Sequence, residues 1–141
     1  MTHRVLIVDD EPAIRQALKQ VLDYEGLATR TAGSGGEAIT VFPEYRPHIT
    51  FLDVKMAGID GLETLTRLRE LDPRATIVMI SGHGTVQTAV DATQRGAFDF
   101  LEKPLDTDRL LVTVRNALRH VELTGENERL RGVVTTRYRM I

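Results

Sequence analysis

The sequence predicts an α/β domain built on a five-stranded, doubly wound parallel sheet with helices on both faces. Short apolar runs alternate five times with segments of helical period, which is the signature of repeated βα units. Two of the runs, residues 5–8 and 49–52, are almost continuously apolar, as strands covered on both sides must be. Polar residues of chemical interest close four of the five runs, and they always follow the strand.

Each unit has its own justification. The first run, 5–8, leads into a helix in which Ile14, Leu18, Val21 and Leu22 keep i, i+4, i+7, i+8 spacing. Pro12 suits the first turn of that helix, where its missing N–H is no loss. The second run, 27–31, precedes a helix marked by Ala38, Ile39 and Phe42, opened near Ser34 and stopped at Pro43 or soon after. The third run, 49–52, is followed by Leu62, Leu65, Leu68 and Leu71, with an end expected before Asp72-Pro73. The fourth, 76–80, leads to a helix read from Val86, Ala89, Val90 and Thr93, with Gly96 as its stop. The fifth, 98–101, precedes a helix read from Leu111, Val114, Leu118 and Val121, capped by Asp106 or Thr107. Right-handed crossovers leave few topologies for (βα)5, and the strand order 2-1-3-4-5, the flavodoxin-like arrangement, is the expected one. Residues 122–141 form a mixed-charge helical extension, with Leu123 and Leu130 as a single heptad pair.

A chain of 141 residues makes one domain with a real core. The hydrophobic content of 42% and charged content of 27% fit a soluble globular protein. Cysteine is absent, which excludes disulfides and thiolate chemistry, and His3, His48, His83 and His120 lack metal-ligand spacing. A net charge of −2 gives no general attraction to nucleic acid, so no direct nucleic-acid binding by this chain is expected. No apolar run approaches the length that spans a bilayer, so no membrane association is expected and a cytoplasmic location follows by default.

The expected topology places Asp9, Asp10, Asp53, Ser81 and Lys103 on one rim, where open α/β sheets bind ligands. Three clustered carboxylates repel: a pair of unit charges about 4 Å apart costs about 4 kcal/mol at an effective dielectric of about 20. A hard divalent cation relieves that repulsion, and an all-oxygen set favours Mg²⁺ over Zn²⁺. Capping of the first helix is the plain alternative for Asp9-Asp10-Glu11, but it leaves Asp53 unexplained. A carboxylate held beside Mg²⁺ can act as a nucleophile and form an acyl phosphate, or it can simply bind the metal. Ser81 suits either a helix cap or a donor to a phosphoryl oxygen. Lys103 suits either a solvated strand tip or a point charge facing a phosphorylated aspartate, and Pro104 permits a cis bond that aims it inward.

These residues, taken with their neighbours, resemble the receiver domain of two-component response regulators. The resemblance covers about residues 4–121 and rests on Val8-Asp9-Asp10-Glu11-Pro12, Leu52-Asp53-Val54-Lys55-Met56, Gly58-Ile59-Asp60-Gly61, Ile80-Ser81-Gly82-His83 and Gly96-Ala97-Phe98-Asp99-Phe100-Leu101-Glu102-Lys103-Pro104. Residues 77–104 look most like the NtrC-type activators, and Glu126-Asn127-Glu128-Arg129-Leu130 resembles the linker ahead of their ATPase domain. The resemblance implies a receiver at 1–121, a linker at 122–141, and an output domain outside this chain, which contains no P-loop pattern. It implies Asp53 as phosphoacceptor from a histidine kinase, Asp10 and Asp53 as direct Mg²⁺ ligands with Asp9 acting largely through water, and the Lys55 carbonyl completing the set. It implies Ser81 and Lys103 as phosphoryl-binding groups, and Phe100 as a switch aromatic that moves with Ser81 by packing alone. The implied output surface is the fourth helix, fifth strand and fifth helix, and homo-oligomers through that face or the linker are expected. Ala57 departs from the family's frequent proline, and Lys55 and His83 occupy positions that tune dephosphorylation.

On this reading the chain is not an enzyme beyond its self-catalysed phosphorylation and dephosphorylation. Two rivals differ by discrete features. A Mg²⁺-dependent aspartyl-phosphate phosphohydrolase of haloacid-dehalogenase type would carry a second Asp where Lys55 stands. A flavin-binding electron carrier would carry a Ser/Thr/Gly-rich phosphate loop where Asp-Asp-Glu-Pro stands.

Overall fold

The computed structural model describes residues 2–82 and 84–138, with side chains described through residue 124. The elements alternate as β1 (Arg4–Val8), α1 (Pro12–Tyr24), β2 (Ala28–Ala32), α2 (Gly35–Tyr45), β3 (Ile49–Asp53), α3 (Gly61–Leu71), β4 (Ile77–Ser81), α4 (Val86–Gln94), β5 (Asp99–Glu102) and α5 (Thr107–Tyr138). All pairings are parallel and the sheet order is β2-β1-β3-β4-β5, as the sequence predicts.

Alternation along each strand feeds two cores. Leu6 and Val8 of β1, Leu52 of β3 and Met79 of β4 pack with Ala38, Val41 and Phe42 of α2, Leu65 and Leu68 of α3, and Ala92 of α4. On the other face Val5, Ile7, Ile49, Phe51, Val78 and Ile80 pack with Leu18 and Leu22 of α1 and Leu110, Val114 and Ala117 of α5. Each fully buried Leu, Ile or Phe contributes about 1.5–3 kcal/mol relative to exposure. The two layers therefore hold the strand ends rigidly, and the rim inherits that rigidity.

Several boundaries differ from the sequence reading. β3 and β4 run one residue further, through Asp53 and Ser81, and β5 reaches Glu102. Pairing continues through these polar residues, with Asp53 opposite Ile80 and Ser81 opposite Glu102, because a backbone ladder does not depend on side-chain polarity. Pro43 lies inside α2, which ends two residues later at Tyr45, and the left-handed φ of 54° at the following Arg46 stops the helix. In α5 the buried stripe is led by Leu110 rather than Leu111. Asp106 caps that helix, its Oδ2 accepting the Arg109 N–H at 3.2 Å, and this sets the phase.

The largest difference is in α4. Most of the residues that mark it in the sequence face outward: Val86 is 83% exposed, Val90 42% and Thr93 exposed, with Ala89 half-buried, while in this helix Ala92 alone is fully buried. A small side chain lets this helix lie close on the sheet, and the apolar stripe becomes surface. α5 continues as helical backbone across the expected receiver–linker junction to Tyr138. The side chain of Leu130, and with it the heptad pair, lies outside the described residues.

Candidate functional site

Parallel strands carry their C-terminal ends to one rim, and four of them deliver the expected residues there. β1 delivers Asp9 and Asp10, β3 Asp53, β4 Ser81, and β5 Lys103. Lys103 extends the ladder, its N–H donating to the Ser81 carbonyl at 2.8 Å. The Lys103–Pro104 peptide bond is cis.

The ammonium of Lys103 gathers the acids. Its Nζ lies 3.0 Å from Asp9 Oδ2, 3.4 Å from Asp53 Oδ1 and 3.5 Å from Glu11 Oε1. Only 13% of the Lys103 side chain is exposed, so the solvated-tip reading does not hold. Burial works against its charge, but the Asp9 contact and the carboxylates of Asp53, Asp9 and Glu11 outweigh burial and raise its pKa.

Asp53 is buried, 4% exposed at its side chain. Its pKa is pushed up to about 6, first by burial and then by the charge of Asp9, with Lys103 pulling the other way and Asp10 adding to the rise. The clustered carboxylates therefore hold more negative charge than one lysine relieves.

The donor set fits a hard cation. Asp9, Asp10 and Asp53 each offer a carboxylate oxygen, and these oxygens all lie within 4.8 Å of one another. Asp9 Oδ1 accepts the Glu11 N–H at 2.9 Å, and the buried Asp9 Oδ2 has the Lys103 ammonium 3.0 Å away but out of line for a well-aligned hydrogen bond. A buried carboxylate oxygen left so is costly, and a metal-bound water or the ion itself would satisfy it.

The alternative capping roles are filled or unused. At the start of α1 the capping position is Glu11, whose side chain makes no cap hydrogen bond. α4 is capped by Thr85, which accepts the Thr88 N–H at 3.1 Å, so buried Ser81 is not the cap of that helix. Lys55 stands two residues beyond Asp53 with its side chain exposed. Asp10 is exposed and its Oδ2 accepts the Ala57 N–H at 3.4 Å, tying the β1–α1 and β3–α3 loops together. The ring of Phe100 is half-buried, resting on the core layer that contains Leu52 and Met79. His83 lies outside the described residues.

Two participants escaped the sequence reading. Glu11 was weighed only as a cap, yet it is a further carboxylate beside Lys103. Arg15 donates from Nη1 to the Asp9 carbonyl at 2.7 Å and so fixes the acidic loop. Nothing in spacing marks Arg15, because the contact exists only once the loop folds back over the first turn of α1.

Comparison with known proteins identifies the family and the fold. A family model described as the response regulator receiver domain matches residues 5–115. The nitrogen assimilation regulatory protein NtrX of Azorhizobium caulinodans is 43% identical over 93% of this chain and 29% of its own length. The C4-dicarboxylate transport transcriptional regulatory protein DctD of Pseudomonas aeruginosa is 42% identical over 97% of this chain and 30% of its own length. The chain thus spans less than a third of these relatives. The crystal structure of the receiver domain of NtrX from Brucella abortus superposes with a TM-score of 0.78 at 42% identity, covering 82% of this chain and 98% of that one.

Proposed function

The chain belongs to the response regulator receiver family, on its NtrC-type activator branch, and from that premise we propose that Asp53 is the phosphoacceptor of a signalling switch. The donor is a histidine kinase. An Asp53 carboxylate oxygen forms a bond to phosphorus as the phosphorus–nitrogen bond of a phosphohistidine breaks, and the leaving imidazole nitrogen takes up a proton from solvent. With a pKa of about 6, Asp53 is mainly carboxylate at neutral pH while remaining more basic than an ordinary one.

Mg²⁺ would be held by Asp10 and Asp53, with Asp9 through water and the Lys55 carbonyl, and would neutralise the acids and the incoming phosphoryl oxygens. Lys103 pairs with the phosphoryl group, exchanging its ground-state contact with Asp9 for one with the new charge. Ser81 donates its hydroxyl proton to a phosphoryl oxygen, and Phe100 follows by packing. Phosphorylation adds up to about two negative charges at this point. Shifting a two-state domain from 1:99 to 99:1 takes about 5.5 kcal/mol, within reach of a few charge-assisted hydrogen bonds.

Residues 1–121 act as the receiver and 122–141 as a linker toward an output domain. The α4–β5–α5 face carries the response, either to that domain or to a second copy of the chain. The chain is a switch, and its only chemistry is its own phosphorylation and dephosphorylation. Among the described residues no helix is long and apolar enough to cross a membrane.

The observation that carries this reading is the single ammonium of Lys103 within 3.4 Å of both Asp9 and Asp53, from a separate strand. Incubation with acetyl phosphate and Mg²⁺, read by intact mass, is the test. An adduct of about 80 Da on the wild-type chain, labile to hydroxylamine and absent from Asp53→Asn, is expected. An adduct of equal yield on both chains would overturn the assignment.

A further inference from the structure

Gly84 lies in the loop between β4 and α4, and its backbone is not the reason for a glycine. The positive-φ glycines of the described residues are Gly26, Gly58 and Gly96, and Gly84 is not among them. The reason is space. A β-carbon built on Gly84 would stand 2.9 Å from both Cε1 and Cζ of Phe100 and 3.2 Å from Oγ of Ser81. The first two distances are closer than real β-carbons come to any heavy atom.

Phe100 is opposite Met79 in the β4–β5 register, and Ser81 follows Met79 by two residues. Side chains two apart on a strand share a face, so Phe100 and Ser81 project to the same side of the sheet. Below, the ring rests on the core layer of Leu52 and Met79. Above, its distal edge meets the backbone of Gly84. To the side opens a groove of about 480 Å³ that Phe100 lines with Thr85, Val86, Ala89 and Val90. A second cavity, of about 340 Å³, borders Phe100 beside Pro104 and Leu105, and the present place of the ring requires that residue 84 has no side chain.

We infer that Gly84 is a positioning residue for the Phe100 ring, and that its bare backbone is the contact through which a displacement of Ser81 reaches that ring. Gly84 follows Ser81 by three residues in the chain. When Ser81 shifts toward a phosphoryl group, the surface over the ring edge shifts as well. A methyl group at 84 fills the inward place, pressing hardest on the ring and less closely on Ser81 Oγ, and drives the ring into the groove. The signalling consequence rests on the reading of Asp53 as phosphoacceptor; the contact between 84 and 100 does not.

Two measurements test this. In the first, thermal midpoints are compared for wild type, Gly84→Ala, Phe100→Ala and the double variant. The methyl is expected to lower the midpoint with the ring present and to leave it within about 1 °C once the ring is gone, since contacting sites couple. An equal loss in both backgrounds would overturn the inference. In the second, the aromatic carbon–proton resonances of Phe100 are followed as Mg²⁺ and beryllofluoride are added. In Gly84→Ala the ring is expected to start from a displaced position and to show less than a third of the wild-type shift, while the acetyl phosphate adduct stays within about threefold of wild type. Ring resonances that match wild type with and without beryllofluoride would also overturn it. A wild-type chain that takes no adduct sinks the phosphoacceptor reading instead, and the thermal comparison then still decides the contact.

Discussion

Lys103 Nζ stands 3.0 Å from Asp9 Oδ2, an oxygen that is buried and has no aligned hydrogen-bond donor. The ammonium is thus the main compensation for a 1%-exposed carboxylate, and it reaches Asp53 only at 3.4 Å. Lys103 thus supplies positive charge to both acids, and it can exchange that contact when a cation or a phosphoryl group arrives.

Lys103→Met should therefore destabilise the metal-free protein by about 3 kcal/mol, the scale of an uncompensated buried charge. Urea unfolding in EDTA at pH 7.5 measures this. Millimolar Mg²⁺ should return a large part of the loss, because the acids remain to bind it. A variant as stable as wild type in EDTA would mean that Asp9 is compensated from elsewhere.

Asp53 gives a pH dependence of definite sign. Its folded pKa of about 6 lies above the 3.8 of an unperturbed aspartate, so its contribution to stability is fully present below pH 3.8 and is lost as pH rises through 6. The shift corresponds to about 3 kcal/mol at most. In EDTA, Asp53→Asn should be more stable than wild type at pH 7.5, by about 1–3 kcal/mol, and the advantage should shrink toward pH 4. Mg²⁺ should raise the wild-type midpoint more than the variant's, as binding to the native state alone requires. The pair of denaturation series with and without metal checks both signs.

Val86 and Val90 of α4 are exposed apolar residues with no core role. Changing both to Glu should alter stability by no more than about 0.5 kcal/mol and leave the Asp53 adduct intact. If α4 belongs to the output surface, sedimentation of the beryllofluoride-bound chain should show self-association in wild type and its loss in this variant. Equal association in both would place the contact on another face.

Gly61 opens α3 against the end of β3. A β-carbon there would collide with the Asp53 carbonyl oxygen and stand 2.6 Å from Val54 Cα. Both are backbone, which cannot rotate away as a side chain does. Gly61→Ala should cost about 3 kcal/mol or more by overpacking, and should slow adduct formation by displacing the loop after Asp53. Chemical denaturation and the time course of the mass adduct read the two effects separately.

Much of the fold was legible because its causes are local. The helix after Ser34 could be read from one residue, whose Oγ accepts the Glu37 N–H at 3.1 Å. The stop near Gly96 could be read from the glycine itself, which adopts the left-handed φ of 99° that other residues avoid. The α4 stripe misled for an equally definite reason. Periodicity reports that one face of a helix is apolar, but not whether another element covers it, and here Ala92 takes the sheet while Val86 faces solvent. Likewise the sequence offered Glu11 a cap to make, and the fold gave it a lysine instead.

The sequence by itself determined the five βα units, their order, and the rim that carries Asp9, Asp10, Asp53, Ser81 and Lys103. Hydrophobic period and crossover handedness are properties of the chain over a few residues. The tertiary structure alone decided which acid Lys103 meets first, that Arg15 holds the Asp9 carbonyl, and that the Phe100 ring lies beneath Gly84. Those contacts join residues from different elements, and their distances are set by how two core layers pack against the sheet. No pattern along the chain encodes a spacing of that kind.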